Sequence, residues 1–429
     1  MHKQDQLTIS DPTVTALVKR LTENQREMLG IIIEICEEKR QQIWFVGGII
    51  RDYFEDRVPA DIDLATDGDA LALAIELINR VDIADITLSS NSTLLACSIS
   101  VANVRLFDIN SMRHEIYQEP AKLPKVETTD SIKTDLERRD FTVNSMALGL
   151  TTDVLDVFLD PFNGKVDIRN RIIRVLHDDS LFDDPSRIFR AARSCTSYGY
   201  SISPQIVTSL SETGLEPIFI TQARLHTELL LTSQSTSWFE TLLLLDKWGI
   251  WQRLGLRNVT NDLITCKQLS VQKLDLEEII ILLTLNEATQ NRQKFLTKVE
   301  LSRASRKLIA GSADISYLHN KVLTQERLDR LSTYPDLWYN LIEKLQDICL
   351  VDLRHSVNEW VNCNGFLSAK ELNQLGVLSG PDLNRMLATL KWARFTKTIG
   401  SKEEARSLVK RMVTSGQDLR TLNAEGDYV

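Results

Sequence analysis

Two aspartates one residue apart, Asp61 and Asp63, alternate with Ile62 and Leu64. Side chains two apart in a strand share a face, so this tetrapeptide predicts a strand with both carboxylates on one side and both aliphatics in a core. Two like charges held together call for a hard cation, and Mg²⁺ prefers one or two carboxylates plus substrate phosphates to an all-protein cage. Upstream, Phe45-Val46-Gly47-Gly48-Ile49-Ile50-Arg51-Asp52 leads from an apolar strand, Ile43 to Val46, into a helix N-terminus. Gly47 and Gly48 carry no Cβ to hold the backbone off a phosphate, and a helix start suits anions. Arg51 in the first turn is a candidate phosphate contact, with a helix-surface ion pair as the alternative. A phosphate cradle and a divalent-metal site within less than twenty residues point to nucleotidyl transfer.

The bulk of the chain limits the context. Its 429 residues are too many for one ordinary core and predict two to four modules. No apolar run is long enough for a bilayer, and Met1 to Ser10 is polar, unlike a signal peptide. Six cysteines are scattered without a Cys-x-x-Cys pair, which argues against zinc and disulfide frameworks and for a reduced, cytoplasmic setting. The net charge of −9 speaks against a nucleic-acid partner. Residues 1–290 carry about −14 and 291–429 about +5, so an acidic front could gather metal and a mildly basic rear could meet phosphate.

Periodicity predicts a helix from Leu21 to Gln42, a short helix through Asp52–Phe54 and another from Asp69 to Arg80. Runs Ser92–Ser100 and Asn103–Asn110 predict a hairpin. Val154–Leu159 and Ile172–Leu176 look like a strand pair joined by the Asp160-Pro161-Phe162-Asn163-Gly164 turn. Asp67 and Asp69 read as solvated turn residues. Beyond Asp184 nearly everything is helical, with Pro185 in a first turn, a helix from Arg187 to Tyr198, and Leu-rich stretches at 225–232, 238–246, 274–285 and 339–351. Breaks near 213–217 and 379–381 are soft boundaries, and a frayed end is expected after Gln417.

Three more constellations carry chemistry. Asp108 lies mid-strand between Phe107 and Ile109 and is a candidate third carboxylate, as base or metal ligand, or else an outward strand residue. Arg138-Arg139-Asp140-Phe141-Thr142-Val143-Asn144 could be capping and ion pairing. Alternatively an arginine grips phosphate while Asp140 and Asn144 fix the loop or the sugar. Asp184, Arg187, Arg190 and Arg193 step by three along a helix, and three successive arginines repel unless an anion lies beside them. Asp184 and Arg187 also carry the acceptor and donors that would read cytosine or adenine.

Taken in order, Gly47-Gly48-x-x-Arg51-Asp52, Asp61-x-Asp63, Arg138-Arg139-Asp140-Phe141-Thr142-x-Asn144, Asp160-Pro161-x-x-Gly164 and Asp184-x-x-Arg187 resemble the class II tRNA nucleotidyltransferases. That family includes CCA-adding enzymes and bacterial poly(A) polymerases, and the ordered motifs cover about residues 45–195. The resemblance implies an α+β catalytic head of the DNA polymerase β type with a mixed sheet, followed by all-α neck, body and tail. The boundaries expected are 1–150 for the head, 151–235 for the neck with its base-recognition helix, 236–350 for the body and 351–429 for a tRNA-contacting tail. It implies Mg²⁺ on Asp61 and Asp63, with Gly48, Arg51 and an arginine of Arg138-Arg139 on the triphosphate. Asp184 and Arg187 become an amino-acid template, with Arg190 and Arg193 completing the pocket. A flexible loop would span 113–124, and Leu372 to Pro381 looks like a tail element facing tRNA.

Asp183 stands where the family usually has Glu, Asp56 where Gly is usual, and Ser145 where Ala is usual. The expected activity is template-independent addition of CCA to tRNA from CTP and ATP, in a monomer or homodimer with no membrane role. CC-only or A-only addition and poly(A) synthesis are the rivals, a non-catalytic RNA scaffold the non-enzymatic one. A small-molecule nucleotidyltransferase would not explain the long helical rear. His177-Asp178 lacks the further histidines of a phosphohydrolase centre.

Overall fold

The structure, a computed structural model, describes residues 11–59, 61–119, 122–211, 220–257, 259, 274–284, 287–310, 328 and 348–414. The expected break near 213–217, most of the 339–351 stretch and the end after Gln417 lie outside these residues. Chain contacts define two compact units, one of Met1–Leu254 with Thr297–Glu300, the other of Gly255–Leu296 with Leu301–Val429. The division expected at 150, 235 and 350 is finer than this.

The first unit begins with α1 (Val14–Val18) and α2 (Glu23–Lys39). Thr22 and Gln25 form a capping box at the start of α2, and Arg40 in the left-handed region ends it. Met28, Leu29, Ile32, Ile35 and Cys36 make its buried stripe. Gly30 sits on the opposite, exposed side, with nothing within 4 Å of the place a Cβ would take. Gly30→Ala is therefore expected to raise stability by about 0.5–1 kcal/mol, read as a higher midpoint in urea with unchanged slope.

Next come β1 (Ile43–Val46), α3 (Gly48–Phe54), β2 (Ile62–Thr66), α4 (Ala70–Arg80), β3 (Ile86–Asn91), β4 (Ala96–Val101) and β5 (Val104–Ser111). With β8 (Ala147–Gly149) and β9 (Phe158–Leu159) they build a seven-stranded sheet in the order β3-β4-β5-β2-β1-β8-β9. The sheet is mixed: β2 and β5 run parallel, while the other neighbours are antiparallel. All four residues of β1 are buried, as a central strand covered on both faces requires. Asp67 and Asp69 are exposed turn residues, as expected, and both also hold backbone amides: Asp69 caps α4 by accepting from Leu71 and Ala72, and Asp67 accepts from Gln42 at 2.8 Å.

Two expectations about strands are corrected. The 113–124 segment is not loop throughout: β6 (Arg113–Ile116) at its start pairs antiparallel with β7 (Lys125–Thr128). Val154–Leu159 and Ile172–Leu176 do not pair with each other. Phe158 and Leu159 add to the large sheet, whereas β10 (Ile172–Ile173) pairs parallel with β11 (Ser201–Ile202). Between them lies α6 (Gly164–Asn170), because Asp160 caps the Gly164 and Lys165 amides and starts a helix rather than a hairpin.

The unit continues through α5 (Ile132–Glu137), α7 (Ser180–Asp183), α8 (Ser186–Tyr198), α9 (Pro204–Ser211), α10 (Gln222–Gln234), α11 (Trp238–Lys247) and α12 (Ile250–Arg253). Phe189 of α8 meets Trp251 edge-on at 6.2 Å, which fixes the rotation of α8 against the helices behind it.

The second unit, in its described part, is helical, with Leu276–Leu283, Thr289–Leu296, Arg303–Ala310, Ile348–Asn362, Ala369–Gln374, Pro381–Phe395 and Lys402–Thr414. Leu372, Met386, Leu390, Ala405 and Val409 share one buried core, so Leu372 of the expected tail element is a packing residue. No described helix is long and apolar enough to cross a membrane.

Candidate active site

Asp63 sits inside β2 and Asp61 one residue before it, so the strand is shorter than expected by one position. Parallel pairing sets Asp63 directly beside Asp108 on β5. Asp108 Oδ2 accepts from Arg105 at 3.2 Å, while its Oδ1 is buried without a hydrogen-bond partner. Burial raises the Asp61 carboxyl above its usual range, with Asp108 adding to the effect. Burial also pushes Asp63 up, to about 6; Arg139 opposes the rise, and Asp61 and Asp108 reinforce it. Two repelling, desolvated carboxyls, on Asp61 and Asp63, are a donor pair that suits a hard divalent cation. Among the described residues no three acidic, His or Cys groups suffice to hold a metal unaided, so substrate oxygens would complete the shell.

Gly47 has φ +72, and a Cβ there would stand 2.7 Å from Asp63 Oδ2 and 3.1 Å from Arg139 Nη1. The missing side chain is what lets Asp63 and Arg139 close over the turn into α3. Arg51, four residues on, is held by Asp52 Oδ1 (3.0 and 2.8 Å), by Asn144 Oδ1 (2.8 Å) and by the Tyr198 hydroxyl (2.5 Å).

Asp135, fully buried on α5, holds both arginines of the Arg138-Arg139 pair, at 2.8 and 3.1 Å. Their positive charge outweighs the burial that would raise the Asp135 carboxyl, and its pKa is lowered. Arg138 also meets Glu115 of β6 at 3.2 Å, whereas Arg139 keeps a buried Nε without a partner. Asp140 receives the Phe141 amide and the Asn144 side chain on Oδ1 and Arg190 on Oδ2. A continuous chain therefore runs Arg51–Asn144–Asp140–Arg190.

Asp184 precedes α8, and its Oδ1 takes the Ser186 amide, the Ser186 hydroxyl (2.6 Å) and Arg224 (3.1 Å). Arg187 is buried, with Nη1 on the Ser180 carbonyl and hydroxyl and Nη2 on the Arg138 carbonyl at 3.0 Å. The arginine row needs no outside anion: Glu228 of α10, buried, meets Arg193 at 2.5 Å and Arg190 at 3.4 Å, and Asp140 meets Arg190 again at 3.5 Å. The argument from repulsion to a bound anion is thus corrected, because protein carboxylates supply the counter-charge. Arg224 and Glu228 went unnoticed in the sequence, although a glutamate between Leu225 and Leu229 on a buried helix face was the available signal.

Gly47, Gly48, Arg51, Asp61 and Asp63 line one cavity of about 1370 Å³. Arg138, Arg139, Asp140, Asn144, Asp184, Arg187, Arg190 and Arg193 line the same cavity, as do Arg224, Glu228 and Tyr198. Asp108 is the exception among the expected residues: it reaches the cavity only through Arg105, which lines it. The volume exceeds that of an ordinary small-ligand pocket, leaving room for two substrates.

Residues 43–174 match the poly A polymerase head domain. That segment therefore carries the head domain of this family. The chain is 29% identical over 256 residues to an A-adding tRNA nucleotidyltransferase of Halalkalibacterium halodurans, covering 57% of each chain. It is 28% identical over 184 residues to the CCA-adding enzyme of Bacillus subtilis, covering 42% of this chain and 43% of that one. The chain therefore matches only about half the length of these curated relatives. In fold, it is similar to a solved apo CCA-adding enzyme with a TM-score of 0.70 at 21% identity, over 94% of this chain and 98% of the other.

The departures from the family pattern have local accounts. Asp56 has φ +53, the left-handed conformation that explains why glycine is usual there and that aspartate tolerates. Ser145 is buried and its hydroxyl donates to the Phe141 carbonyl at 3.0 Å, so the extra oxygen is satisfied within its own turn. Asp183 faces His177 at 3.9 Å, and partial burial raises its carboxyl.

Proposed function

We propose that the chain is a template-independent RNA nucleotidyltransferase that adds or repairs the 3′-terminal CCA of tRNA from CTP and ATP, releasing pyrophosphate. The observation that carries this reading is one cavity shared by an aspartate pair, a glycine–helix cradle and an Asp–Arg pair with the donor and acceptor pattern of a base edge. Mg²⁺ on Asp61 and Asp63 would neutralise triphosphate charge and favour ionisation of the attacking hydroxyl.

The protein groups do the rest. The 3′-hydroxyl oxygen of the RNA attacks the α-phosphorus, the bond from that phosphorus to the bridging oxygen breaks, and pyrophosphate leaves. Asp108, beside Asp63 on β5 but not itself lining the cavity, takes the hydroxyl proton through an intervening water. Gly48 and Arg51 bind the triphosphate. Of the Arg138-Arg139 pair, Arg139 is the better phosphate contact, because Arg138 is committed to Asp135 and Glu115. Asp140 and Asn144 hold the loop between the arginines. Asp184 Oδ2, which carries no hydrogen bond among the described residues, accepts the exocyclic amine of cytosine or adenine. Arg187 keeps N–H groups on Nε and Nη2 for ring acceptors, its other donors being anchored on Ser180 and Arg138. Arg190 and Arg193 close the pocket wall.

Addition of the terminal A alone is the second reading, favoured by the A-adding relative from Halalkalibacterium halodurans. The deciding experiment offers tRNA ending before CCA, after C and after CC, with labelled CTP or ATP. Extension of all three supports CCA addition, adenylation of only the last supports the second reading, and long A tails on unrelated RNA contradict both. Asp184→Ala is expected to cut discrimination of CTP and ATP against UTP by about 10- to 100-fold while leaving metal affinity unchanged. Unaltered discrimination would remove Asp184 from base selection.

A further inference from the structure

We propose that Tyr198 is a positioning residue that sets the Arg51 guanidinium for the triphosphate and ties it to the helix that reads the base. This rests on the reading of Arg51 as a phosphate contact. Tyr198 is the last residue of α8, eleven positions after Arg187 and so roughly 16 Å along the same helix. Its ring lies 4.4 Å from the Arg51 guanidinium carbon and 4.3 Å from that of Arg57, and it stacks on Tyr200 at 5.6 Å with an interplanar angle of 18°. Its hydroxyl accepts from Arg51 Nη2 at 2.5 Å and donates to Asp52 Oδ1 at 3.2 Å.

The donor count gives this contact its meaning. A guanidinium has five N–H groups. On Arg51, Nε and one Nη2 hydrogen go to Asp52, the second Nη2 hydrogen goes to Tyr198, and one Nη1 hydrogen goes to Asn144. Among the described residues a single N–H, on Nη1, is left for a ligand. The protein fixes the plane on three sides, and the arginine that keeps this one donor lines the cavity.

The arrangement is built from both ends. Arg57 donates to the Ser197 carbonyl at 2.9 Å and Arg171 to the Tyr198 carbonyl at 2.8 Å, so the end of α8 is anchored where it touches Arg51. Arg187 is in the first turn of the same helix, and Asp184 lies two residues before its start. A shift of α8 that accommodates a different base therefore moves the ring and hydroxyl against which Arg51 is set. Loss of the hydroxyl would leave an N–H of a largely buried arginine, 14% exposed, without its acceptor and free the guanidinium to tilt.

The test uses the full chain, with inorganic triphosphate as binding probe and CTP and ATP as substrates. Tyr198→Phe should raise KM for CTP and for ATP by the same factor, about five- to tenfold, and weaken triphosphate binding equally. It should leave kcat within about twofold and base discrimination unchanged. Tyr198→Leu, which also removes the ring, should weaken both further. Tyr200→Phe, which loses only a bond to Glu55, should match wild type. In an Arg51→Ala background, Tyr198→Phe should have no additional effect, whatever it does to the melting temperature. Wild-type KM and triphosphate affinity in Tyr198→Phe, a loss confined to kcat, or an undiminished effect without Arg51 would overturn the proposal. Arg51→Ala with intact triphosphate binding would overturn the phosphate reading along with it; weakened binding in Arg51→Ala but not in Tyr198→Phe would overturn the positioning role alone.

Discussion

Asp63→Asn is expected to reduce nucleotidyl transfer by about 10³-fold or more and, at the same time, to make the protein more stable. The loss follows from removing one of the two carboxylates proposed to share a cation. The gain follows from burial. Asp63 has its pKa pushed from 3.8 to about 6, so its charged form opposes folding. Because the folded value lies above the unfolded one, this cost is absent below about pH 4, grows as the pH rises through 6 and is complete above that. Two units correspond to a cost on the order of 3 kcal/mol at neutral pH. The asparagine variant should therefore melt higher than wild type at pH 7 and match it near pH 4. Adding Mg²⁺ should raise the wild-type melting temperature and leave that of the variant unchanged. A variant that melts lower at pH 7 would show that Asp63 is a structural ion-pair partner of Arg139 instead.

Gly47→Ala should strike the candidate active site directly. At φ +72 and ψ −131 an L-residue is strained by about 1–3 kcal/mol, and the new carbon would press on Asp63 Oδ2 at 2.7 Å. Neither Asp63 nor Arg139 can yield without disturbing the carboxylate pair or the arginine held by Asp135. We expect kcat/KM to fall by about 10²- to 10³-fold and stability by about 2–4 kcal/mol. The same substitution at Gly30 is expected to act in the opposite direction, so the pair separates a conformational requirement from a general effect of alanine. Near-normal turnover in Gly47→Ala would mean that the turn does not govern the approach of Asp63.

The parts of this site that were legible in the sequence are those whose chemistry is local. The aspartate alternation, the glycine turn and the threefold spacing of Asp184, Arg187 and Arg190 each lie in or within two residues of one element, where periodicity reports direction. What escaped depends on partners far along the chain. Glu228 neutralises Arg190 and Arg193 from 38 and 35 residues away, and Arg224 reaches Asp184 across 40. Local spacing predicts the need for an anion and cannot name its source. Short strands failed for a related reason. Phe158–Leu159 and Ile172–Ile173 have two residues each, too few for alternation to identify a partner, and the turn residues between them served a helix. The β6–β7 hairpin is mostly exposed and polar, so it lacks the apolar face that marks a strand.

The measurement that bears most directly on the whole account is a structure of the protein with CTP or ATP and a divalent cation. The account predicts the cation between Asp61 and Asp63, the triphosphate over Gly48 and against Arg51, and the base edge within hydrogen-bonding distance of Asp184 and Arg187. A nucleotide bound with its phosphates on the aspartates but its base turned away from α8, or bound outside this cavity, would contradict it.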